Sequence, residues 1–147
     1  MKAVLSSEQC VQMVKLGVDT NSADMCRIGD DLQATPYETM LTCWTDYLVA
    51  NRESHKIDNN DLHPAWSLTE LLSLLPQTIN GYNLTIIAED GYYEVGYQLF
   101  DYSTETHQTV IKDVLKTTCR EELINAVYTL FVWLCNNNYI KSLQSHE

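Results

Sequence analysis

One stretch limits the fold more than any other: YNLTIIAEDGYYEVGYQLF, residues 82–100. Asp-Gly between two β-rich runs is a strong signal for a two-residue hairpin turn, because both central residues must take φ > 0. Centring the turn on Asp90-Gly91 fixes the register. Ala88 then faces Tyr93, Ile86 faces Val95 and Leu84 faces Tyr97, all on one side. Ile87 with Glu94, Thr85 with Gly96 and Asn83 with Gln98 fall on the other. The first face is apolar and the second mostly polar, the pattern of an antiparallel sheet with one covered face.

Helix signals surround the hairpin. In a capping box, an N-cap Ser or Thr accepts from the N3 amide while the N3 Glu or Gln reaches back. Ser6-x-x-Gln9 opens a first helix, with Leu5 and Cys10 at staple spacing and Gly17 as its stop. Thr35-x-x-Glu38 with Pro36 predicts a second helix over 36–50, although Thr42, Trp44, Tyr47 and Val49 also suit a strand. Ser67-x-x-Glu70 opens a third helix from Leu68 to Leu75, stapled by Trp66 and Leu71 and stopped by Pro76. Five leucines in eight residues make it a buried plug. Thr118-x-x-Glu121 predicts the last helix, ending at Asn136-Asn137-Asn138, with Tyr139 and Ile140 folding back. Between hairpin and last helix, Val110, Ile111, Val114 and Leu115 fit a helix turn while His107, Thr109 and Ile111 fit a third strand, and the reading leans to a strand within Thr106–Lys112. The expected fold is α+β: a single domain over 1–147, with an antiparallel sheet around the hairpin (84–88, 93–100) and helices on one face.

The bulk numbers exclude more than they assign. The chain has 147 residues and a net charge of −11, with only nine Lys and Arg against twenty acids. Dispersed, scarce cations argue against direct binding of nucleic acid, and an acidic surface favours basic partners. The longest apolar segment, Leu123 to Cys135, falls short of the ~20 residues of a membrane span. Five cysteines without a CxxC pair read as thiols in a reducing cytoplasm.

Chemistry is sparsely written. His55, Asp58, Asp61 and His63 are the right ligand types for a divalent cation, in a spacing that matches no established loop. Cys119, read as the first residue of the last helix beside Arg120, could ionise readily there, but Glu121 and Glu122 oppose it. No catalytic residue and no cofactor is expected. Tyr82, Tyr92 and Tyr102 are the candidate contacts for a partner, because tyrosine offers large area with a polar tip. The reading is a non-catalytic accessory protein binding a protein partner. The alternatives are a homo-oligomer, through the sheet edge or the Trp44 helix, and a small thiol- or metal-dependent enzyme.

LSSEQCVQMVKLGVDTNSADM, HPAWSLTELLSLLP and CREELINAVYTLFVWLCNNNYI, in this order, resemble a group of small proteins of unassigned function from anaerobic gut bacteria and their phages. The resemblance implies a shared α+β fold, a bacterial or prophage origin and a cytoplasmic setting. It brings no catalytic or ligand residue with it.

Overall fold

The computed structural model describes residues 2–28, 41–42 and 62–140. The elements, in chain order, are α1 (Ser7–Lys15), a 3-10 turn (Thr20–Ser22), β1 (Met25–Ile28), β2 (Leu41–Thr42), β3 (Leu62–Ala65) and α2 (Leu68–Ser73). Then follow β4 (Thr78–Ile79), β5 (Tyr82–Glu89), β6 (Tyr92–Ser103), β7 (Gln108–Arg120) and α3 (Leu123–Asn136). The architecture is α+β with two antiparallel sheets, ordered β2-β1-β3 and β4-β5-β6-β7. The chain divides into two compact units, one within Ala3–Leu71 and one of Lys2 with Leu72–Ile140.

In the first unit, α1 starts as its sequence dictates. The Gln9 amide donates to Ser6 Oγ and the Ser6 amide donates to Gln9 Oε1, a complete capping box. Leu5 and Cys10 are buried as the staple requires. Gly17, at φ 84°, turns the chain out of the helix. β1 lies between its neighbours, with Cys26 opposite Thr42 on one side and Pro64 on the other. The helix expected over 36–50 is corrected at Leu41–Thr42, which pair with β1 as a strand. The β-branched and aromatic alternation there favoured the strand. The rest of that segment lies outside the described residues.

The Ser67 helix is held from a distance. Glu70 donates its amide to the Ser67 hydroxyl, as in a capping box, but the Ser67 amide donates to Asp24 Oδ1 at 2.9 Å. The Ser67 hydroxyl donates to the other Asp24 oxygen. Trp66 is fully buried and its indole N–H donates to Ser22 Oγ. The helix ends at Ser73, two residues before the expected Leu75, and Leu72 and Leu74 stay half-buried. Trp66, Leu71 and Leu75 are the residues that vanish from water, each contributing roughly 1.5–3 kcal/mol.

In the second unit the hairpin register is the one the Asp-Gly turn predicts, from Ala88↔Tyr93 to Asn83↔Gln98. Asp90 and Gly91 both have positive φ, as do Asn80 and Gly81 in the preceding turn. β7 is longer than expected, pairing with β6 over its whole length with two register shifts. This overturns the fourth capping box. Thr118 is a strand residue opposite Val95, and its hydroxyl donates to the Ala126 carbonyl of α3 at 2.7 Å. α3 begins at Leu123 after Glu122, without a side-chain cap. Ile124, Val127, Leu130, Phe131 and Leu134 form its buried stripe, packed on β6 and β7 beside Val95 and Tyr97. Tyr97 is fully buried, and its hydroxyl donates to the Pro76 carbonyl at 2.6 Å. Asn138, at φ 61°, closes the helix, and Tyr139 returns to stack on Trp133 with ring centroids 5.4 Å apart.

Candidate functional site

β5 pairs with β6 only as far as Asn83↔Gln98, whereas β6 and β7 continue together to Ser103↔Gln108. Leu99–Ser103 and the start of β7 therefore form a two-stranded ribbon running past β5. Side chains alternate across it. One face carries Phe100 opposite Ile111, and beyond them Tyr102 and Val114. The other carries Leu99 opposite Asp113 and Asp101 opposite Val110.

The first face is bare. Phe100 is 37% exposed, Tyr102 54%, Ile111 52% and Val114 43%. The opposite face carries Asp101 and Asp113 beside Val110, which is 43% exposed. Tyr82 donates its hydroxyl to Asp113 Oδ2 at 2.6 Å, and the Val114 amide donates to Oδ1. Those bonds, the Tyr82 one foremost, hold the Asp113 carboxyl below its ordinary range. The same bond raises the Tyr82 hydroxyl above its own. At the ribbon tip His107 takes φ 57°, and its Nδ1 lies 3.3 Å from the Tyr102 hydroxyl.

The three candidate tyrosines do not converge. Tyr92 and Tyr102 share a face of β6 by parity, but ten residues, about 33 Å of strand, separate them. Tyr82 lies on the opposite face, committed to Asp113. Phe100, Ile111 and Val114, which complete the bare surface around Tyr102, were not singled out from the sequence. Alternating apolar residues in a strand read as core, and only the fold shows these to be exposed.

Of the metal candidates, His63 sits on β3 opposite Arg27. His55, Asp58 and Asp61 lie outside the described residues. Among the described residues no group of three His, Cys, Asp or Glu is placed to hold a metal ion. Cys119 is corrected from helix to strand: it is an exposed β7 residue opposite Glu94, ahead of the α3 start at Leu123. Burial pushes the Cys135 thiol up to about 11. No helix among the described residues is long and apolar enough to cross a membrane. No known protein family, curated protein or solved structure matches the chain.

Proposed function

We propose that this chain is a non-catalytic cytoplasmic interaction protein whose basic protein partner docks on the bare face of the β6–β7 ribbon. The observation that carries the reading is the cluster of Phe100, Tyr102, Ile111 and Val114, each between 37% and 54% exposed on one face. A two-stranded ribbon is marginally stable alone, and an apolar face of this kind marks a contact surface. Charge supplies the partner's character. The chain carries −11, and Asp101 and Asp113 lie on the opposite face of the same ribbon. Four exposed apolar side chains fall short of the roughly 20–30 residues a side of a standard interface, which fits a short segment of a partner.

The homo-oligomer alternative has less behind it. β7 is the outer strand of its sheet among the described residues, but it carries two register shifts, Lys112 and Lys116. Bulges and edge lysines are devices that keep strands from pairing with another copy.

The test is affinity capture from bacterial lysate with photo-crosslinking from position 102 and, as control, position 92. A basic protein crosslinked from position 102, lost with Ile111→Asp and weakened by 0.5 M salt, is the expected result. Identical adducts from both positions, or capture indifferent to Ile111→Asp, overturns the reading.

A further inference from the structure

The first unit contains a cavity of about 380 Å³ on one side of α1. That lies within the roughly 300–1,000 Å³ typical of small-molecule sites. Its walls are Cys10, Val11 and Val14 of α1 together with Pro64 of β3. Ser7 and Lys15 also border it, so it follows the helix over its nine residues, about 12 Å from first to last.

Its electrostatics differ from the rest of the chain. Arg27, Lys15 and His63 line it, and no Asp or Glu is among its described lining residues. In a chain of net charge −11, this is a local reversal of sign. Arg27 is anchored at one end: its Nη2 donates to the Leu5 carbonyl at 2.6 Å, just before Ser7 opens α1. The Nε of the same guanidinium is buried with no hydrogen-bond partner. Cation and helix N-terminus thus meet at the Ser7 end, and both favour a negative group. Away from that end Val11 and Val14 give an aliphatic wall, with Lys15 and Thr20 at its far border.

We infer that this cavity binds a small amphipathic carboxylate, its anionic head at Arg27 and Ser7 and its apolar tail along Cys10, Val11 and Val14. The head adds a charged partner to a guanidinium that bonds the neutral Leu5 carbonyl through its Nη2. The tail covers Val14, which is otherwise 44% exposed. The site lies wholly within the first unit and does not depend on the ribbon reading.

The test is an NMR titration of the full chain with decanoate, decanol and decylammonium, following the backbone amides of α1. Decanoate should shift Val11 and Val14 and bind about tenfold or more tighter than decylammonium, the scale of a charge-assisted hydrogen bond. Arg27→Gln should remove that preference while leaving decanol binding unchanged. If Arg27→Gln does not fold, Ser7→Glu carries the same test. It puts a negative charge where a helix start tolerates one, and should weaken decanoate by about tenfold or more. Val14→Asp, at an exposed position, should abolish binding of all three. The inference is overturned if millimolar decanoate leaves α1 unshifted, if decylammonium binds as tightly, or if Ser7→Glu leaves decanoate affinity unchanged.

Discussion

Asp24 shows how far one side chain can reach in setting local structure. Its carboxylate takes both the amide and the hydroxyl of Ser67, more than forty positions on. The start of α2 and the burial of Trp66 are therefore fixed by a residue that no local motif includes. Replacing Asp24 with Ala leaves the Ser67 amide without its acceptor and should cost about 1.5–3 kcal/mol, the range for hydrogen bonds to charged groups. Urea unfolding followed by Trp fluorescence measures it, and an unchanged midpoint would mean water replaces the carboxylate. The cysteines make a second test at this scale. Cys119 is exposed, whereas burial raises the Cys135 thiol from 9.0 to about 11. Burial favours the protonated form, so this contribution to stability is complete below the ordinary thiol range and is lost as pH rises through about 11. Timed alkylation at pH 8 with peptide mapping should modify Cys119 well before Cys135. The reverse order would contradict the placement of both.

At the scale of elements, β6 and β7 decide what the sequence can and cannot reveal. Gly96 sits where a Cβ would lie 2.8 Å from the Thr117 Cα and would also meet the Lys116 carbonyl. Gly96→Ala forces the two strands apart and should destabilise by about 1–3 kcal/mol. Differential scanning calorimetry reads this directly, and a wild-type melting temperature would show that the pair yields freely. The β5–β6 register was legible because one dipeptide, Asp90-Gly91, fixes it locally. The Thr118 box was misread because T-x-x-E describes a strand running into a helix as well as it describes a cap. What settles it is the bond from Thr118 to Ala126, a contact that exists only once α3 packs back. The same distinction holds for the sites. Tyr102 stands out as an exposed-type aromatic in any reading. Phe100, Ile111 and Val114 do not, since the same apolar alternation serves a covered face equally well. The cavity beside α1 was invisible because Ser7, Arg27 and Pro64 belong to three separate elements and no spacing unites them.

Across the whole molecule the dominant quantity is charge. At −11 over 147 residues, the acidic groups repel one another in the folded chain more closely than in the unfolded one. Asp24 bonds to Ser67 and Asp113 to Tyr82, neutral donors that bring no positive charge to either carboxylate. Screening should therefore stabilise the fold. Raising NaCl from 0.02 to 0.3 M shortens the Debye length from roughly 20 Å to roughly 6 Å and should raise the melting temperature at pH 7. Near the isoelectric point of about 4.6 the same addition should have almost no effect, because the net repulsion has gone. The two pH values separate screening from the general action of salt on apolar burial, which does not depend on the protein's charge. A salt response of equal size at both would mean that the acids are already compensated within the fold. In that case the acidic surface could no longer be the feature that selects a basic partner.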